Sequence, residues 1–180
     1  MASTSERFEP FVAREVFSEL HGFVLLDPDR LDHHHDGAAL HRDLLTLYAT
    51  TEEGDAVASG GIAIPVMGVE AGDYTLVVRH HRSPSLLSGA PALVSTGWIL
   101  RATSPHLCLC GAGYLMRWTP EHEKVLHPVV PPGWYEVEIH CGTSTSHGEE
   151  WIIEFVLRPS PMPPAFTADL QTDFNFVAAG

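Results

Sequence analysis

The chain has 180 residues, of which 44% are hydrophobic and 18% are charged, and its formal net charge is −13. An intrinsically disordered chain combines few apolar residues with many charges, so this composition excludes one. The length corresponds to about one domain, and we expect residues 1–180 to form a single domain. Lysine and arginine total only ten, so neither nucleic acid nor an anionic membrane is an expected partner.

The cysteines and the N-terminal residues indicate a cytoplasmic protein. Three cysteines are an odd number, which does not indicate a framework of disulfides, and reduced thiols are typical of the cytosol. Cys108 and Cys110 lie two residues apart in an apolar segment, so both are predicted to be buried thiols. The first residues do not combine a basic region with an apolar run, so no signal peptide is predicted.

The N-terminal third fits more than one structure. Apolar residues between positions 6 and 20 fit either a helix or a strand, and we favour a strand over residues 15–27. A shorter strand is predicted for residues 44–49, after a polar loop that contains the run His-His-His-Asp at residues 33–36. Residues 60–67 predict a strand whose internal proline, Pro65, indicates either an edge strand or a bulge.

The remaining two thirds show clearer strand patterns. Apolar residues on both faces of residues 73–80 predict a central strand, and residues 98–102 and 114–118 predict another pair. Residues 135–141 alternate strictly between apolar and polar, and with residues 151–158 they predict a hairpin that Pro159 ends. A proline-rich tail from about residue 159 is expected to be extended and to place four apolar side chains against the domain, namely Phe166, Leu170, Phe174 and Phe176.

These segments together predict the fold class. Short strands bounded by glycine and proline are typical of all-β proteins. We therefore predict a mostly antiparallel β-sandwich of about seven to nine strands, with a closed β-barrel as the alternative.

No motif in the sequence assigns a catalytic residue or a cofactor. There is no Gly-x-Ser-x-Gly elbow and no P-loop, and Lys124 is the only lysine. Twelve histidines leave a metal-dependent, cupin-like enzyme as an alternative, and His80, His106 and His140 are the candidate metal ligands.

A candidate partner-binding surface lies on the predicted strand 135–141 and the residue before it. Trp134, Glu136 and Glu138 share the face of this strand that is predicted to be wet, which places an aromatic side chain beside two carboxylates. Cores and rims of protein interfaces often have this composition. Residues 1–60 have a net charge of −8, and residues 121–180 have a net charge of −7. Because these two segments are so acidic, a basic protein is the expected partner.

Two segments carry a resemblance to a known family. Residues 20–27, Leu-His-Gly-Phe-Val-Leu-Leu-Asp, and residues 130–138, Val-Pro-Pro-Gly-Trp-Tyr-Glu-Val-Glu, precede a final strand over residues 151–159. In this order they resemble small bacterial β-sandwich proteins of the competence protein J family, whose named member inhibits a competence nuclease. The resemblance covers residues 21–159 and implies an all-β fold and an interaction protein, and it assigns no catalytic residue.

The sequence therefore predicts a non-catalytic domain that binds a basic protein, for example an inhibitor or an immunity-type protein. A cupin-like metal enzyme and a small-ligand-binding β-barrel are the alternatives.

Overall fold

A computed structural model describes residues 7–104 and 106–177. In this part of the chain, eight strands form two sheets, accompanied by three short α-helices and two 3₁₀ helices (Glu19–His21 and Ala112–Arg117). The strands are β1 (Phe11–Phe17), β2 (Gly22–Leu26), β3 (Ala63–Met67), β4 (Asp73–His80), β5 (Leu93–Ala102), β6 (Cys108–Gly111), β7 (Gly133–Ser144) and β8 (Glu150–Ser160). The helices are α1 (Pro28–His34), α2 (Leu44–Thr50) and α3 (Glu53–Ser59).

The two sheets are open, so the closed-barrel alternative is wrong. The larger sheet has the strand order β1-β4-β8-β7-β5, and the smaller sheet has the order β3-β2-β6. Neighbouring strands are antiparallel except β4 and β8, which are parallel. The predominance of antiparallel pairs is confirmed. The pair formed by β4 and β8 can be parallel because these strands are far apart in the chain, so no tight turn determines their relative direction.

The predicted hairpin, the central strand and the edge strand are confirmed. Strand β7 buries Tyr135, Val137, Ile139 and Cys141, as its alternating sequence requires, and the residues between them are exposed or, for His140, partly exposed. Strand β4 lies between β1 and β8, and β3 lies at the edge of the smaller sheet. Strand β8 continues one residue past Pro159, beyond the last residue that pairs with β4.

One hydrophobic core contains the inward side chains of both sheets, including the fully buried Phe23, Trp98 and Phe155. The tail after β8 packs against this core through the four predicted residues, Phe166, Leu170, Phe174 and Phe176. It is held along the edges of the sheets, because the amides of Thr167 and Ala168 donate to Gly97 O (3.0 and 3.1 Å) and the Phe174 amide donates to Met67 O (3.0 Å).

A second core covers the other face of the smaller sheet, and here short helices add to the strands that the all-β prediction expected. The predicted strand at residues 44–49 is helix α2, which begins at Asp43, whose side chain accepts a hydrogen bond from the Thr46 amide (2.9 Å). The segment predicted as a strand at residues 114–118 is largely the second 3₁₀ helix. Residues 33 and 34 lie in α1 rather than in a loop. Short helical segments of this kind are stabilised mainly by packing on the sheet, which local sequence patterns do not show.

The N-terminal region is extended, as favoured, but it is not one continuous strand. Strands β1 and β2 belong to different sheets and are separated by the first 3₁₀ helix. Leu20 and His21 have positive φ angles of 52° and 57°, a backbone conformation that residues other than glycine rarely adopt. The turn is held by hydrogen bonds from the Gly68 and Val69 amides to His21 O.

A buried ion pair fixes the connection between β4 and β5. The Glu154 side chain has no exposed surface and accepts hydrogen bonds from Arg79 Nε (3.1 Å), the Ser85 hydroxyl (2.9 Å) and the Leu86 amide (2.7 Å). Arg79 also donates to Ser83 O (2.9 Å). The connection therefore lies against the outer face of the larger sheet.

Among the described residues, no helix is long and apolar enough to span a membrane.

Candidate functional site

An apolar groove of about 580 Å³ opens between the smaller sheet and the turn from α2 to α3. Its floor is formed by β2 and β3, and its walls are formed by both helices, the second 3₁₀ helix and residues 170–171 of the tail. Apolar lining side chains include Val24, Leu26, Leu45, Val57 and Leu115. This volume is within the range of small-ligand pockets and also accommodates large side chains of a protein partner.

Two carboxylates line the groove, and six more acidic residues are close to them in the chain. Glu52 and Asp55 line it directly and are exposed. We call residues 27–59 the acidic layer, because they contain eight acidic residues and only two arginines. Asp27 is buried and begins α1 by accepting a hydrogen bond from the Arg30 amide (3.0 Å). The other seven carboxylates are exposed: Asp29, Asp32, Asp36, Asp43, Glu52, Glu53 and Asp55.

His34, the last residue of α1, and His35, which follows it, position the wall of the groove that contains Tyr48. His35 Nε2 lies 2.5 Å from the Tyr48 hydroxyl, and the two rings are stacked with their centroids 5.8 Å apart. Arg42 Nη1 lies 3.3 Å from His35 Nδ1, and His34 Nε2 lies 2.7 Å from the carboxylate of Glu53. Burial, followed by the nearby charges of His34 and Arg42, lowers the pKa of His35. The neutral His35 therefore joins α1 to α2 and positions Tyr48 in the groove.

The predicted partner-binding residues lie together on the outer face of β7. Glu136 and Glu138 are exposed, and Glu138 accepts a hydrogen bond from His140 Nε2 (2.8 Å between the heavy atoms). Trp134 is half-buried, and its ring centroid lies 5.6 Å from the guanidinium carbon of Arg30 and 5.5 Å from that of Arg101. These distances are typical of cation–π contacts.

A glycine lets the Trp134 ring pack within the protein, and an arginine lies opposite Glu136 on this face. Gly61 has a φ of 69°, and a Cβ atom there would lie 2.9 Å from Trp134 Cζ3, so glycine is required for the ring to pack. Arg158 is opposite Glu136 in the β7–β8 register. The aromatic ring is therefore engaged within the protein by Arg30 and Arg101, and Arg158 lies opposite one of the two carboxylates.

The three candidate metal ligands are on different parts of the structure. His80 is fully buried at the end of β4, His140 is on the outer face of β7, and His106 is exposed beside Val129 next to the smaller sheet. Within residues 7–104 and 106–177, no group of three or more His, Cys, Asp and Glu side chains could hold a metal ion.

The predicted buried thiols are confirmed. Cys108 and Cys110 lie on β6 and are buried in the second core, and both are free. Burial raises the pKa of the Cys108 thiol to about 12, so this side chain stays protonated and behaves as an apolar residue.

No family model matches the chain, and no curated protein matches it. Solved structures that are similar to it include the crystal structure of ComJ, inhibitor of the DNA-degrading activity of NucA, from Bacillus subtilis. ComJ is 15% identical with a TM-score of 0.47, and the alignment covers 84% of this chain and 97% of ComJ. A second is crocagin biosynthetic gene J, which is 13% identical with a TM-score of 0.48, covering 83% of this chain and 98% of that chain. The similar structures thus include a protein of the type that residues 20–27 and 130–138 resemble.

The groove and the role of His35 were not predicted from the sequence. The groove is built from segments that are up to about 150 residues apart, from Val24 to Gln171. The available signal was charge, since seven of the exposed carboxylates fall within residues 29–55, but this run was interpreted as part of a general acidic character.

Proposed function

We propose that this chain is a non-catalytic protein-binding domain whose partner is a basic protein. The observation that carries the proposal is an apolar groove with Glu52 and Asp55 at its mouth, set within a layer of seven exposed carboxylates. An apolar side chain of the partner can enter the groove while neighbouring lysines or arginines pair with the rim. An inhibitor or immunity-type protein would use such a surface to cover the basic side chains of its target.

The face of β7 with Trp134, Glu136 and Glu138 is a second proposed contact surface, supported by the exposure of both glutamates. We favour the groove because Trp134 is already packed against Arg30 and Arg101. A partner at this face would therefore meet positive as well as negative charge.

The test uses two lysine-rich peptides as probes, one with a central tryptophan and one with serine in its place. We expect the tryptophan peptide to bind more tightly, because only it can fill the groove, and we expect its binding to weaken as salt rises. Fluorescence anisotropy of labelled peptides measures both effects.

Matched pairs of charge reversals distinguish the two surfaces. The Glu52→Lys/Asp55→Lys variant should lower the association rate of the tryptophan peptide about tenfold at low salt. The Glu136→Lys/Glu138→Lys variant is the control with the same change in net charge. If only the control variant weakens binding, the contact surface is β7. If neither does, or if both peptides bind equally, the proposal is wrong.

A further inference from the structure

Three of the ten basic residues converge on one end of the larger sheet. Strand β4 ends at His80, which pairs with Leu157 of the parallel strand β8, and the amide of His81 donates to Leu157 O (2.9 Å). Arg82 and Arg158 are the next residues of the two chain segments, so both continue from this end of the sheet.

The N-terminal segment brings the third arginine. The ring of Phe8 packs edge-on against the ring of His80, with centroids 5.6 Å apart, and Arg7 precedes it. The rings of His80 and His81 are themselves 4.4 Å apart. We call Arg7, His80, His81, Arg82 and Arg158 the cationic cluster; its members come from three segments of the chain.

Two nitrogen atoms of this cluster are buried without a hydrogen-bond partner among the described residues, His80 Nε2 and His81 Nδ1. His80 is fully buried, and its Nδ1 accepts a hydrogen bond from the Arg82 amide (3.2 Å). Nδ1 therefore carries the lone pair, and in the neutral ring the proton is on Nε2. A buried N–H donor without an acceptor is costly, so this atom indicates an acceptor that residues 7–104 and 106–177 do not supply.

The arginines of the cluster have no ion-pair partner in the described ranges, although Arg158 lies opposite Glu136 in the β7–β8 register. Arg7, Arg82 and Arg158 are exposed, and none forms an ion pair with another residue of the described ranges. Burial lowers the pKa of His80 and of His81, and the positive charges of these three arginines contribute to lowering both. Such mutual repulsion is relieved when an anion binds.

We propose that the cationic cluster is a binding site for a phosphate-class oxyanion. Guanidinium groups donate paired hydrogen bonds to phosphate oxygens, and the unpartnered imidazole nitrogens belong to the residues that directly precede Arg82 in the chain. The site is independent of the groove and of the acidic layer, because it lies at the end of the other sheet. The oxyanion is either free phosphate or the phosphate group of a larger phosphomonoester.

The experiment titrates the full chain with inorganic phosphate and, separately, with phosphoserine, while potassium chloride keeps the ionic strength constant. Imidazole ¹⁵N chemical shifts and calorimetry are the measurements. We expect saturable shifts of the His80 and His81 resonances with at least one of the two ligands. The ligand that binds more tightly identifies the source of the phosphate group.

Arginine variants test the assignment of the site. Arg82→Gln and Arg158→Gln should each weaken binding about tenfold, the loss expected for a charge-assisted hydrogen bond. Arg117→Gln is the matched control, since Arg117 is an exposed arginine in the 3₁₀ helix that packs on α2. Equal weakening in all three variants, or no saturable shift with either ligand, overturns the proposal. Because none of these variants changes the groove, this outcome is independent of the peptide experiment.

Discussion

Replacing Glu154 with glutamine tests whether the buried ion pair holds the connection between β4 and β5. Glutamine has the size of glutamate, but it loses the charge and presents an NH₂ group where an acceptor is needed. In the native protein the carboxylate accepts from Arg79, Ser85 and Leu86. The variant therefore leaves the Arg79 guanidinium, whose side chain is only 7% exposed, without a counter-ion.

The expected loss follows from the burial of both partners. Removing one partner of a buried ion pair costs about 3–5 kcal/mol. Arg79 keeps its hydrogen bond to Ser83 O (2.9 Å), so we expect the lower end, about 3 kcal/mol of the free energy of unfolding. For a chain of this size, that corresponds to a decrease in Tm of about 6–12 °C.

Urea denaturation followed by circular dichroism measures the loss, and a double-mutant cycle identifies its cause. Arg79→Met removes the other charge, and the double variant should be more stable than the sum of the two single losses predicts, because no unpaired charge remains. Amide exchange at Leu86 should increase in Glu154→Gln. A loss below about 1 kcal/mol, or additive losses in the double variant, would refute the reasoning.

Three further predictions concern single positions. Gly97 has a φ of 85°, and a Cβ atom there would lie 2.6 Å from the carbonyl carbon of Thr167. Gly97→Ala should therefore lower the free energy of unfolding by at least about 1 kcal/mol and speed proteolysis of the tail. Unchanged cleavage of the tail would contradict this prediction. Asp27→Ala removes the α1 cap and the acceptor of the Thr103 amide. Urea titrations should show that the free energy of unfolding falls by about 2–4 kcal/mol. The loss should be smaller for Asp27→Asn, which keeps one acceptor oxygen. Because the pKa values of His80 and His81 are lowered in the folded protein, the unfolded chain binds more protons than the folded one. The free energy of unfolding should therefore fall as the pH drops below about 6.5. Equal stability at pH 7.5 and 5.5 would exclude this effect.

Elements with a strict alternation of apolar and polar residues could be predicted from the sequence. Strand β7 of the β7–β8 hairpin is the best example, because burial on one face leaves a pattern of period two over residues 135–141. Helix α2 could not be predicted, since seven residues with leucines at positions 44, 45 and 47 fit a strand as well as a helix. The fact that it packs on the outer face of β2 decides between the two.

The candidate site shows the same division. The sequence placed Trp134, Glu136 and Glu138 on one face of a strand, and that geometry is observed. It contained no sign that Arg30 and Arg101 lie against the Trp134 ring, because these contacts join residues that are 33 to 104 positions apart.

The sequence by itself determined which residues of β7 are buried between positions 135 and 141, and the strong excess of negative charge. Only the tertiary structure decided that β4 and β8 are parallel, that helices form a groove over the smaller sheet, and that Arg7, Arg82 and Arg158 meet at two histidines. The physical reason is range. Alternation and turn chemistry act between neighbouring residues, whereas a groove or a charge cluster depends on the pairing of strands that are distant in the chain, which no local pattern specifies.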